Sequence, residues 1–220
     1  MGYYILIAIS MLLGTLTQSY IQRTYSRWST VEASFRGTGA DVARDMLNRG
    51  GASAVGIVPI AGTLTDNYDP RDNNLHLSAA NLQGGSVASV AVACHEAGHA
   101  IQNATGYTMM KFRTSLVPVV SIAGSTWMLV FMAGVMLNMM GLVRVGLVMF
   151  AASVIFQLVT LPVEFDASNR AVAYLNEHGS EIDQKGAKEV LTAAALTYVA
   201  AALVSVMQFF YYYSSTRSRR

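Results

Sequence analysis

The residues Ser86-Val87-Ala88-Ser89-Val90-Ala91-Val92-Ala93-Cys94-His95-Glu96-Ala97-Gly98-His99-Ala100-Ile101-Gln102-Asn103-Ala104 form an unbroken, mostly apolar run that ends before Gly106. The run reads as a helix over roughly 86–104, with Gly106 as its stop. Inside it lies His95-Glu96-Ala97-Gly98-His99, an H-E-x-x-H pattern. Histidines at i and i+4 project from one helix face, about one turn apart, so their imidazoles can share one Zn²⁺. Glu96 lies between them and can act on water without being a ligand. A zinc ion lowers the pKa of bound water to about 7, and a neighbouring carboxylate can take the proton as that water attacks a carbonyl. Two imidazoles and a carboxylate buried among apolar flanks without a metal would be costly. Cys94 reads as a small core residue, since adjacent helix positions point about 100° apart.

Of the 220 residues, 53% are hydrophobic and only 13% are charged, against about 25% charged in an average soluble domain. This composition points to a membrane protein. A net charge of +2 is too small to argue for nucleic acid. With one cysteine, no intrachain disulfide can form and the fold needs no oxidising compartment.

The charges mark out the membrane segments. None occurs before Arg23, between Arg113 and Arg144, between Arg144 and Glu164, or between Glu189 and Arg217. Each gap can cross a hydrocarbon core of about 30 Å as a helix. The first lacks a basic n-region and an A-x-A cleavage site, so it reads as a retained anchor. The expected fold is therefore mainly α: one membrane domain over 1–220, with spans at about 3–21, 115–140, 144–162 and 190–213. The catalytic regions 30–112 and 163–189 would lie at the membrane surface and include a small β hairpin or sheet.

Between the first two spans, a surface helix opens near Gly39-Ala40-Asp41 and stops at Gly50-Gly51. Val55–Ile60 is a short β-type run. Residues 62–78 read as a hairpin around the turn-rich Asp69-Pro70-Arg71-Asp72-Asn73-Asn74. An edge strand just ahead of the zinc helix could pair with an extended substrate, and Leu75, His76 and Leu77 are the candidates. A tight turn is expected near Gly141. Pro162 closes the third span, and a separate helix follows from Val163 to Glu177. Arg217-Ser218-Arg219-Arg220 reads as a disordered tail.

Four spans put 22–113 and 163–189 on one side. That side carries all 13 acidic residues and 11 of the 15 lysines and arginines. Positive charge accumulates on the cytoplasmic face, so the site is expected there.

A catalytic zinc needs a third protein ligand and an open position. His76, His178 and the acidic residues on the same side are available. The pattern that adds a third histidine six residues after the second meets Thr105 here, which excludes that class. Glu164 is the best-placed alternative, since it would begin a helix at the membrane end of the third span, where an anion needs a partner. Arg170 and His178, on the same side, are candidates for stabilising an oxyanion.

Leu161-Pro162-Val163-Glu164-Phe165-Asp166-Ala167-Ser168, together with His95–Gln102, Leu64–Arg71 and Leu75–Ser78, resembles the YugP-type neutral zinc metallopeptidases of bacteria. That family is in turn similar to the HtpX-type membrane gluzincins. The resemblance implies one Zn²⁺ held by His95, His99 and Glu164, with Glu96 as general base. It also implies peptidase activity on proteins at or in the inner membrane of a bacterium. Where the HtpX type has Asp four residues after the ligand Glu, this chain has Ser168, so Ser168, Asp166 or a water would have to take over the contact that the Asp makes to a ligand imidazole. The expected partners are polypeptide substrates, membrane proteins above all, and the lipid bilayer, with a homo-oligomer left open and no nucleic acid. The competing reading is a non-catalytic adaptor or scaffold with a structural zinc. Such a site would close with a fourth protein ligand and would have no need of Glu96.

Overall fold

The computed structural model describes residues 2–217. The expectation of a disordered tail lies outside the described residues, apart from Arg217, where the last helix ends. In chain order the elements are α1 (Gly2–Trp28), α2 (Gly39–Arg49), β1 (Gly56–Ile60), β2 (Asn67–Asp69), β3 (Asn74–Ser78), α3 (Ala79–Gln83), α4 (Val87–Ala104), α5 (Thr108–Met136), α6 (Met140–His178) and α7 (Glu181–Arg217). The molecule is mainly α. Among the described residues α1, α5, α6 and α7 are long and apolar enough to cross a membrane.

Pro162 does not end a helix. It lies inside α6, which runs unbroken for 39 residues, so the expected separate helix after the third span does not exist and Glu164 is not at a helix N-terminus. Proline forfeits one backbone hydrogen bond and costs about 3 kcal/mol or more in a helix interior. Packing offsets that cost, since Val163, Ala167 and Ala171 are fully buried on the face of α6 that lies against α4. The turn between α5 and α6 also falls earlier than Gly141. It spans Leu137–Met139, and Asn138 takes the left-handed conformation there (φ 53°), which asparagine tolerates better than most residues. α6 runs on to His178 and α7 starts at Glu181, so the polar region 163–189 is the end of α6 and the start of α7, joined by Gly179 and Ser180.

The small sheet has the order β1-β3-β2. β1 pairs parallel with β3 from Gly56↔Asn74 to Ile60↔Ser78. β2 pairs antiparallel with β3 through Tyr68↔Leu75. β2 and β3 thus form the expected hairpin around the turn, but the edge expectation needs correction: Leu75, His76 and Leu77 belong to the central strand, with β1 along one side and β2 along the other from Asn74 to His76, so β2 and not β3 is the edge. The parallel crossover from β1, supplied by residues 61–73, is what moves β3 inward. Leu75 and Leu77 are fully buried in the core, while His76 turns outward to Asp72 (Nε2–Oδ2 2.9 Å).

α4 lies at the centre of the part outside the membrane segments. Every residue from Val87 to Gln102 except Val92 is buried, against α2, α6 and α7. The Ser86 side chain caps its start by accepting from the Ser89 N–H (3.1 Å), and Thr38 and Asp41 form a reciprocal capping box that starts α2. Polar links fasten the membrane helices to this layer. Trp28 Nε1 of α1 donates to Glu189 Oε2 of α7 (2.8 Å), and Asp183 of α7 accepts from the Ser34 N–H (3.0 Å).

Candidate metal centre

His95 and His99 sit one turn apart on α4, with ring centroids 4.7 Å apart and planes nearly perpendicular. α6 crosses α4 at Gly98, where an added Cβ would lie 2.7 Å from the Ala167 carbonyl oxygen. This close approach brings in Glu164, whose Oε2 lies 3.3 Å from His95 Nε2 and 3.4 Å from His99 Nε2. All three residues are buried.

Glu164 Oε2 is enclosed, yet it accepts no well-directed hydrogen bond. Leaving a buried carboxylate oxygen without a partner is expensive. One atom from each of His95, His99 and Glu164 falls within 4.8 Å of the others, and two imidazoles with one carboxylate are a donor set that suits a zinc ion. The residues therefore fit the metal that the sequence resemblance implies.

Around this trio lies a layer of hydrogen bonds. His99 Nδ1 is 3.0 Å from Gln102 Oε1, and Gln102 Nε2 donates to Val163 O and to Asp166 Oδ2, both at 2.8 Å. Arg170 Nε in turn donates to Asp166 Oδ2 (2.6 Å). His95 Nδ1 is 3.2 Å from Ser168 Oγ. Serine thus stands at the imidazole where an aspartate would have been expected, and Asp166 reaches the site only through Gln102. Gln102 had no role in the sequence reading, although its i+3 spacing from His99 was a usable signal.

Glu96 points to a different neighbour: its Oε2 accepts the backbone N–H of Tyr68 on β2 (3.1 Å). Burial raises the carboxyl above its ordinary value, opposed by the two histidines. Beside Glu96 and His95 opens a cavity of about 220 Å³, bounded by Asp66 and by Gln18 of α1 and Thr197 and Tyr198 of α7. Asp66 is held by Ser78 N–H (2.7 Å) and Asn81 Nδ2 (2.8 Å). Nothing in the spacing of the sequence tied Tyr68 or Tyr198 to the motif, because both arrive through tertiary packing.

The remaining candidates lie elsewhere. Arg170 is engaged with Asp166. His178 stacks on Tyr174 and contacts its carbonyl oxygen (Nδ1–O 3.0 Å). Cys94 is fully buried, and burial pushes its thiol up, as befits a core residue.

A helical membrane architecture with a buried His-His-Glu group beside a glutamate defines the class as a membrane protein with a zinc-peptidase-like centre. The chain belongs to the family described as "putative neutral zinc metallopeptidase", whose model matches residues 3–217. It is 42% identical over 193 residues to the "putative membrane protease YugP" of Bacillus subtilis (strain 168), covering 87% of this chain and 86% of that protein. No solved structure matches the chain.

Proposed function

We propose that the chain is a gluzincin-type zinc endopeptidase of the bacterial inner membrane, with one Zn²⁺ held by His95, His99 and Glu164. The observation that carries this reading is the convergence of three buried donors on one point, with Glu96 on the same helix at the adjacent cavity. When bound, zinc supplies Lewis acidity, which polarises a carbonyl and acidifies water. Glu96 takes the proton of the attacking water and passes it to the leaving amine. The Tyr68 N–H holds its carboxylate in place. Tyr198, on the cavity wall, carries a hydroxyl suited to stabilising the developing oxyanion. β2, an edge strand next to Glu96, replaces β3 as the strand that would pair with an extended substrate.

The placing of 11 of the 15 lysines and arginines on the side of the site supports a cytoplasmic orientation. The structural-zinc alternative fares worse, because the group has three donors among the described residues and no fourth to close it.

The test uses protein purified in detergent, with zinc content and cleavage of a casein-like or membrane-protein substrate measured in parallel. Glu96→Gln should keep its zinc and lose cleavage, while Glu164→Ala should lose zinc. Equal cleavage by the parent and Glu96→Gln would remove Glu96 from the mechanism, and unchanged zinc in Glu164→Ala would remove the third ligand.

A further inference from the structure

Two cavities meet end to end between α1 and α7. The first is the 220 Å³ cavity beside His95 and Glu96. The second, of about 290 Å³, shares Gln18 and Thr197 with the first and continues along Ser10, Gly14 and Thr17 of α1 and Ala200 and Ala201 of α7. From Gln18 back to Ser10 is about 12 Å along α1, into the part of that helix that carries no charged residue. The cleft therefore connects the candidate catalytic centre with the hydrocarbon depth of the bilayer.

We propose that this groove receives the membrane-spanning segment of an anchored protein substrate and leads its unwound end to Glu96; the proposal rests on the peptidase reading above. The walls fit a polypeptide. Gly14 leaves open space, since an added Cβ would meet nothing within 4 Å. The hydroxyls of Ser10 and Thr17 are satisfied within their own helix, by Leu6 O and Leu13 O (both 2.8 Å), so they present a smooth surface. Gln18, at the junction of the two cavities, is exposed and makes no side-chain hydrogen bond among the described residues, so its amide is free for a ligand in the groove. Its amide offers both donor and acceptor at the point where a helix entering from lipid must give up its own hydrogen bonds to become a cleavable extended strand. In hydrocarbon such groups have no other partner. A lipid chain filling the groove would make no use of that amide.

The experiment uses the full zinc-loaded chain in lipid nanodiscs and two substrates with the same cleavable sequence, one soluble and one carrying a single-span anchor. Gly14→Phe fills the groove and should lower the ratio of anchored to soluble cleavage roughly tenfold or more. Leu16→Phe, on the opposite face of α1 and 58% exposed, should leave that ratio where it was. In the cleavage-deficient Glu96→Gln background, Gly14→Cys should cross-link to a cysteine in the anchor and Leu16→Cys should not; this arm requires no bulky side chain to fold. An unchanged ratio in Gly14→Phe, or equal cross-linking from both positions, overturns the groove. If the parent cleaves neither substrate, the peptidase reading fails, and the cross-link alone then decides: selective capture at position 14 upholds docking, and its absence overturns it.

Discussion

Gln102 Oε1 lies 3.0 Å from His99 Nδ1, one turn further along the same helix. If His99 donates Nδ1–H to that oxygen, the ring is fixed and the Nε2 lone pair is left for a metal. Gln102→Leu removes the acceptor while keeping the volume near that of the parent. Zinc affinity should fall about 10–100-fold, as read by competition with a chromophoric chelator. An unchanged affinity would show that α4 packing alone orients the ring.

Ser168 gives His95 a weaker hold. The contact is neutral and 3.2 Å long, so Ser168→Ala should cost less than about tenfold in zinc affinity, at the low end for such supporting groups. Ser168→Asp should raise affinity, because a carboxylate strengthens imidazole basicity. If Ser168→Asp instead weakens binding, the negative charge beside Glu164 dominates.

Gly98 is where α4 and α6 touch. An added Cβ would stand 2.7 Å from the Ala167 carbonyl oxygen and 3.1 Å from its Cα. These are backbone atoms that cannot rotate aside. Gly98→Ala should therefore destabilise the fold by about 1–3 kcal/mol and also weaken zinc binding, since pushing α6 away moves Glu164 from the histidines. Thermal unfolding and metal titration of one variant check both effects. Loss of stability with intact zinc affinity would uncouple them.

The pH dependence should differ in sign with and without metal. Burial pushes His99 down, but the Glu164 carboxylate beside it (3.4 Å) outweighs that and holds the imidazole above its usual 6.5. This stabilisation is fully present below the unfolded value and is lost as pH rises through the raised folded value. Glu96 acts in the same direction: its raised carboxyl makes ionisation costly to the fold, a penalty that grows as pH climbs from about 4.3 towards the raised value. Zinc, in contrast, needs neutral imidazoles, so its contribution grows with pH. The melting temperature of chelator-treated protein should fall as pH rises past about 6.5, while the gap between zinc-loaded and metal-free protein widens. A gap that stays constant or narrows would contradict this charge assignment.

The helices of this fold were legible where a single physical rule dominated. Charge-free gaps long enough to cross a bilayer located α1, α5, α6 and α7, and an apolar run with Ser86 at one end and Gly106 at the other located α4. Residues acting through a local period were readable too, as with His95 and His99. Pro162 misled because the local cost of a proline was weighed without the packing of Val163, Ala167 and Ala171 that sustains the helix. The status of β3 was hidden for a similar reason, since a parallel partner such as β1 leaves no turn signal between the paired strands. Tyr68 reaches Glu96 through its backbone N–H, and Gln18 and Tyr198 reach the cavity beside it; the three come from separate elements, so no spacing along the chain could have joined them to Glu96.

The unbroken run of α6 has one more consequence. The carboxylate that completes the buried trio sits on the same rod as the segment that crosses the bilayer, two residues beyond Pro162. The histidines are carried by α4, but their third companion stands on a helix long and apolar enough to cross a membrane. Any cut that frees α4 from the hairpin of α5 and α6 separates His95 and His99 from Glu164 and dismantles the buried trio.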